Sequence, residues 1–449
     1  MARSAAPVST LTIGRVDGLN QEGWGVVRAG KAVFVAGALP GELVEYRIRR
    51  SQRHHDEAEL IRVIEPVAQR VTPGCAHFGV CGGCSLQHLA PEAQRVMKDD
   101  MLRETLRRIG KLEPQSWLPP LAGEPWGYRR RARLGARFVH AKGRSLVGFR
   151  ERLSSFVADI SRCPVLVPAI GDLVGALSEL VTQLSIPTRI PQIEVAVGDN
   201  ATVLVMRTLA ALNAADRELL VAFEARHGVR WLLQVGGPTR LEPLQGEAPS
   251  LWYELPEFDL KLRFEPADFI QVNGAMNRVL IGQVLQLLEL DSNSRVLDLF
   301  CGLGNFTLPI ARRAQQVLGI EGDAGLIARA GVNARDNGID NAHFRAGNLA
   351  GPDAAQRCGL LASSGGPWSH VLLDPPRTGA CDILPAVARL APRRLVYVSC
   401  HPGSLARDLS ILVMEHGFTL QSAGIVDMFP HTSHVESVAV LDGPAAGAQ

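Results

Sequence analysis

Val296–Leu308 reads VLDLFCGLGNFTL: an apolar run, a glycine turn, then the start of a helical stretch. Gly302 and Gly304 let the backbone turn tightly and approach a ligand where a side chain would collide. About twenty residues further on, Glu321 ends the next apolar run, where a carboxylate can grip ribose hydroxyls. The third glycine of a dinucleotide fingerprint is missing, because Thr307 stands at that position, and no cluster of phosphate ligands is present. The stretch therefore suits a nucleoside cofactor without phosphate, which points to S-adenosylmethionine.

Moving outward, apolar strands are expected at Arg295–Phe300, Gln316–Glu321, His370–Asp374 and Arg394–Ser399, separated by helical stretches. That alternation predicts an α/β, Rossmann-like parallel sheet from about residue 266 onward. Asp374-Pro375-Pro376-Arg377 closes one of these strands at the carboxyl edge, where such sheets bind ligands. Methyltransferases acting on exocyclic amines often carry an aromatic residue after Pro-Pro; Arg377 stands there and argues against amine chemistry.

Carbon 5 of uracil is too poor a nucleophile to attack a sulfonium methyl unaided. A thiolate adding to carbon 6 moves electron density onto carbon 5, and a base must later remove the carbon 5 proton. Cys400 closes LVYVSC at the same sheet edge as Asp374, and Glu436 lies in FPHTSHVESV, just before the final strand. A free cysteine is more often a buried small hydrophobe, and Cys301, Cys358 and Cys381 are read that way.

DPPRTG (374–379), LVYVSC (395–400), VDMFPHTSHVE (426–436) and the upstream DFIQVN (268–273) together resemble the RNA 5-methyluridine methyltransferase family. The resemblance covers the C-terminal half and implies Cys400 as nucleophile and Glu436 as base. It further implies cofactor contacts at Gln271, Phe300, Asn305, Glu321, Asn348 and Asp374, with Phe269 stacking beside the target base. One departure stands out: the family's Ser-Cys-Asn-Pro-x-Thr has His401 and Ser404 here in place of Asn and Thr, which puts local hydrogen bonds in question.

Cys75, Cys81 and Cys84 sit in a glycine-rich loop, and Cys163, followed by Pro164, supplies a distant fourth thiol. Four thiolates fit a structural zinc or an iron–sulfur cluster, and the three-plus-one spacing leans toward [4Fe-4S]. The resemblance points the same way: one branch of the family, acting on 23S ribosomal RNA, carries such a cluster at these positions. An added N-terminal barrel, the TRAM domain, marks one enzyme of that branch. Residues 8–66 resemble it, with short glycine-broken strands expected at Thr10–Val16, Gly25–Arg28, Lys31–Val35, Leu43–Arg49 and Ala58–Ile64, an OB-like pattern often used on oligonucleotides.

Charge agrees with that division. Residues 1–155 hold 25 Lys and Arg against 15 Asp and Glu, whereas the remainder holds 22 against 30. A basic front on an acidic back suits a polyanionic partner. Gly127–Arg133, GYRRRAR, is expected as a strand that either grips phosphates or is a solvated edge. Three parts follow: a TRAM/OB-like RNA-binding barrel (1–68), a mixed α/β central domain carrying the four-cysteine site (69–265, with a helix over 91–111 packing on the third part) and the methyltransferase domain (266–449). With no secretory h-region and no bilayer-length apolar run, a monomeric cytoplasmic enzyme acting on 23S ribosomal RNA, with no membrane or protein partner, is expected. The same chemistry on tRNA, or an RNA-binding assembly factor without catalysis, are the alternatives.

Overall fold

The computed structural model describes residues 11–235, 240–351, 353–359 and 366–444; Thr10, the first residue of the expected first strand, and the C-terminal Gly/Ala tail lie outside them. Within the described residues the chain builds three large sheets and a two-stranded ribbon.

The N-terminal sheet has six strands in the order Leu11–Arg15, Leu43–Ser51, His55–Glu65, Lys31–Ala36, Gly25–Ala29, Gly18–Leu19. It curls into a half-barrel, and the short strand Gly18–Leu19 lies between the expected strands Thr10–Val16 and Gly25–Arg28. Alternation sets its faces: Val33, Val35, Val44, Tyr46 and Ala58 turn inward, while Arg49–Glu59 and Arg62–Glu45 pair on the outside. Arg47, Arg50 and Arg53 are exposed at its surface.

The second sheet runs Leu241–Pro243, Val229–Val235, Thr202–Thr208, Gln192–Val197, Arg131–Val139, Arg144–Gly148. Helices Val174–Gln183 and Ala214–His227 cover one face with a core that includes Leu177, Leu220 and Trp231. Gly127–Arg133 differs from expectation. The strand starts at Arg131 and lies inside the sheet, between Gln192–Val197 and Arg144–Gly148.

The largest sheet has eight strands: Ala342–Ala346, Gln316–Glu321, Arg295–Leu299, His370–Leu373, Arg394–Ser399, Glu436–Asp442, Thr419–Val426, Ser116–Trp117. The first five run parallel, buried by helices on both faces as a near-continuous apolar run requires. Glu436–Asp442 inserts antiparallel between Arg394–Ser399 and Thr419–Val426. The far edge is supplied by Ser116–Trp117, parallel to Thr419–Val426. Helix Pro91–Thr105 and its π-turn Leu106–Gly110 bury Leu102 and Leu106 in the same core as Tyr397 and Leu409. The eight-stranded sheet therefore uses chain from far upstream of residue 266.

Candidate active site

The carboxyl edge of the parallel strands gathers the acidic groups. Strand Arg295–Leu299 ends at Phe300, whose φ is +68°, and its N–H donates to the Ile320 carbonyl at 2.8 Å. Gly302 follows at φ +56°, and a Cβ there would meet open space, so this turn faces a void that a ligand can enter. The Gly302 N–H donates to Glu321 Oε2 at 3.2 Å, and Glu321 Oε1 accepts from Asp323 N at 3.1 Å. The turn and the acidic strand end thus hold each other in place.

Asp298, fully buried, accepts from the Thr307 hydroxyl at 2.5 Å. Burial pushes its carboxyl up to about 7, and the negative charges of Asp374 and Glu321 add to the shift. Asp374 is likewise raised to about 7, by burial first and then by Glu321. Three carboxylates crowd one sheet edge without a basic side chain among the causes of either shift. Such an arrangement favours a cation.

Cys400 and Glu436 stand beside them on neighbouring strands. Ser399 pairs with Ser437 across the antiparallel ladder, so Cys400 and Glu436 are the next residues at that end. Glu436 is the first residue of its strand and 3% exposed. Its carboxyl is pushed up to about 8 by burial and by Asp374. The half-buried Cys400 thiol is pushed up to about 11, by burial first, then by Glu436 and Asp374, with Arg377 opposing. Cys400 and Glu436 are therefore close enough for the charge of Glu436 to act on the thiol.

His401 and Ser404 make local hydrogen bonds of their own. His401 caps helix Pro402–Ser410, its Nδ1 accepting from Ser404 N at 3.1 Å, and the Ser404 hydroxyl donates to the His401 carbonyl at 3.1 Å. The imidazole does what an Asn amide oxygen does at an N-cap.

The remaining expected residues occupy several settings. Asn305 exchanges two 2.9 Å bonds with the Asn277 amide and accepts from Tyr253 Oη at 2.8 Å. Asn348 Oδ1 accepts from Ala350 N at 2.9 Å. Gln271 is half-buried, two residues before Asn273, the cap of helix Gly274–Leu288. Phe269 is 71% exposed, the most exposed large apolar side chain among the described residues. Its neighbours are fixed: Ile270 is buried, and Asp268 accepts from Arg329 Nη2 at 2.8 Å. An exposed ring on an anchored backbone can stack on a ligand without first being ordered.

The triple arginine that suggested a phosphate grip is spent inside the molecule. Arg129 lines the cysteine pocket, Arg130 bonds Asp199 at 2.8 Å, and Arg131 donates to the Pro266 carbonyl at 2.7 Å. Only Arg133 of this stretch points outward, its side chain 71% exposed and paired with Glu194.

Cys75, Cys81, Cys84 and Cys163 line one pocket with Phe78, Phe149 and Ile160. Burial raises the Cys81 thiol to about 11 and that of Cys84 to about 12, the other cysteines' charges adding to both, and burial also raises Cys163. The Gly83 N–H donates to Cys81 Sγ at 3.4 Å. Four thiols, apolar walls and an amide aimed at sulfur fit a group that binds thiolates. Among the described residues, no three His, Cys, Asp or Glu side chains are gathered as a single metal ion needs them.

The family model described as tRNA (Uracil-5-)-methyltransferase matches residues 254–443. The chain is 50% identical to the 23S rRNA (uracil(1939)-C(5))-methyltransferase RlmD of Azoarcus sp. (strain BH72), over 96% of this chain and 99% of that one. It is 48% identical to the RlmD of Xanthomonas axonopodis pv. citri (strain 306), over 95% and 96%. Among solved structures, the Pyrococcus abyssi tRNA (uracil-54, C5)-methyltransferase in complex with S-adenosyl-L-homocysteine shares the fold at a TM-score of 0.70. It has 23% identity and covers 96% of this chain and 100% of that one.

Proposed function

The chain belongs to the RNA (uracil-5-)-methyltransferase family, and from that premise we propose that it methylates carbon 5 of a uridine in 23S ribosomal RNA. The observation that carries this reading is the meeting of Cys400, Glu436 and Asp374 at one sheet edge. When bound, S-adenosylmethionine supplies a methyl group on a positively charged sulfur. The acidic edge of Glu321, Asp374 and Asp298 suits that charge, and a cation brought there lowers the raised carboxyls and the Cys400 thiol toward ionisation. Gly302, Phe300, Asn305, Asn348 and Gln271 complete the cofactor's surroundings.

Cys400, as thiolate, adds to carbon 6 of the uracil, and the electron pair of the 5,6 double bond moves onto carbon 5 and the O4 enolate. Carbon 5 takes the methyl group. Glu436 then accepts the carbon 5 proton, the double bond re-forms, and the Cys400 sulfur leaves with its electron pair. Attack on carbon 6 comes from above the ring, so the base must leave its stack, and the exposed Phe269 is a surface for it to rest against.

Cys75, Cys81, Cys84 and Cys163 would hold a [4Fe-4S] cluster, whose chemistry there is to tie the loop to the second sheet. Iron content of about four per chain supports this; stoichiometric zinc without iron defeats it. The half-barrel and its exposed arginines are an RNA-binding surface, and the enzyme works as a cytoplasmic monomer. The deciding experiment uses RNA containing 5-fluorouridine, whose fluorine cannot leave as a proton does. Wild type should form a protein–RNA band that survives denaturation and Cys400→Ala none; binding without an adduct would rule out the covalent route. Mass mapping of ribosomal RNA from a deletion strain identifies the uridine.

A further inference from the structure

Residues 427–433, which lead directly into Glu436, are tied to chain some three hundred residues upstream, as the paired residue numbers show. The Asp427 carboxylate pairs with the fully buried Lys98 at 2.6 Å, and Lys98 Nζ also donates to the Phe429 carbonyl at 3.0 Å. Tyr128 Oη donates to the Pro430 carbonyl at 3.0 Å. His431 takes the densest set. Its N–H donates to Gln94 Oε1 at 2.8 Å, its carbonyl accepts from Ser85 N and Leu86 N at 2.9 and 3.0 Å, and Trp126 lies 4.0 Å from its ring. Ser433 N donates to Ser85 Oγ at 3.1 Å.

Two features make this more than packing. His431 has φ +67°, a left-handed conformation that a non-glycine residue keeps only where its surroundings over-determine it. Ser85 and Leu86 directly follow Cys84, and Gln94 Nε2 donates to the Leu86 and Leu89 carbonyls at 3.0 and 2.7 Å. Gln94 therefore grips the end of the cysteine loop with its amide nitrogen and the approach to Glu436 with its oxygen.

We propose that Ser85, Gln94 and His431 form a clasp that positions Glu436 for proton abstraction, making the cysteine loop part of the catalytic apparatus. The proposal rests on the reading of Glu436 as the base. None of the three touches the base, so they are positioning residues. The clasp acts on one step. A loosened Glu436 leaves cysteine addition and methyl transfer intact and slows the release that follows.

The test uses full-length Gln94→Leu and Ser85→Ala, with Ser85→Thr as the conservative partner that keeps the hydroxyl acceptor. With ordinary uridine RNA, Gln94→Leu and Ser85→Ala should lose about tenfold or more in turnover and accumulate the covalent methylated adduct. Adduct yield with 5-fluorouridine RNA and S-adenosylmethionine binding should match wild type, and Ser85→Thr should restore turnover. Amide hydrogen exchange over 428–435 should quicken in the two deficient variants. Wild-type turnover and exchange in both overturn the clasp. So does loss of the fluorouridine adduct together with turnover, because the defect would then reach Cys400. If wild type itself forms no adduct, the reading of the base fails, and the exchange measurement still decides whether the clasp exists.

Discussion

At the residue scale the site is a cluster of carboxyls that burial makes harder to ionise than exposed ones. Glu436, at about 8, and Asp374, at about 7, both lie above the usual carboxylate range because they are buried, with the charge of Asp374 adding to the first and that of Glu321 to the second. Turnover should therefore rise with pH as Glu436 and the Cys400 thiol ionise, because base and nucleophile both act in their charged forms. Stability runs the other way. A carboxyl whose folded pKa exceeds its unfolded one adds stability that is fully present below about pH 4 and is lost as pH climbs through its folded value. Glu436→Gln removes that loss, so its melting temperature should gain on wild type steadily from about pH 5 to about pH 9, by thermal denaturation without ligand. A gain that is flat or shrinks with pH would contradict the buried carboxyl. The same variant should still add Cys400 to carbon 6 and transfer the methyl, then stall as a covalent protein–RNA band on a denaturing gel.

At the element scale the connections matter more than the strands. His401 caps the helix that follows the nucleophile, and His401→Ala should cost about 1 kcal/mol of stability by denaturant melts, whereas His401→Asn should cost little. Lys98→Met leaves Asp427 buried with no counter-charge; breaking a buried pair in this way typically costs about 3–5 kcal/mol, readable in the same melts. The four core strands expected from sequence are present within one residue, because buried parallel strands are continuous apolar runs bounded by turns. Ala342–Ala346 escapes notice for the opposite reason: AHFRA is short, polar and at the sheet edge. Ser116–Trp117 carries no strand signal at all, since two residues have no period. The DPPRTG and LVYVSC motifs mark the acidic edge and its cysteine, yet Lys98 and Gln94 are invisible in sequence, and His431 sits in VDMFPHTSHVE, a motif that says nothing of its upstream partners. A lysine within an amphipathic helix reads as solvated charge until its partner, Asp427, is folded against it.

At the scale of the whole molecule, charge separates the front of the chain from the back. RNA affinity should fall steeply as salt rises, in proportion to the phosphates neutralised. Replacing Arg47, Arg50 and Arg53 together by Ala should weaken binding and flatten the salt dependence by up to about three phosphates, while leaving S-adenosylmethionine binding unchanged by calorimetry. An unaltered salt slope would reduce the half-barrel to a structural appendage. The basic asymmetry was legible in composition, but its deployment was not: GYRRRAR spends three of its arginines as internal struts, and only Arg133 faces outward.

The far-edge strand Ser116–Trp117 pairs with Ser422 and Ala423, a separation of about three hundred residues along the chain. On a ribosome adding roughly 5–20 residues each second, Trp117 waits on the order of 15–60 s for its neighbour to be made. During that interval helix Pro91–Thr105 and the π-turn after it expose Leu102 and Leu106, which end in the core of a sheet not yet synthesised. The nascent chain thus carries an unburied apolar helix through most of its own translation, and its dependence on chaperones should be greatest just before the final strand emerges.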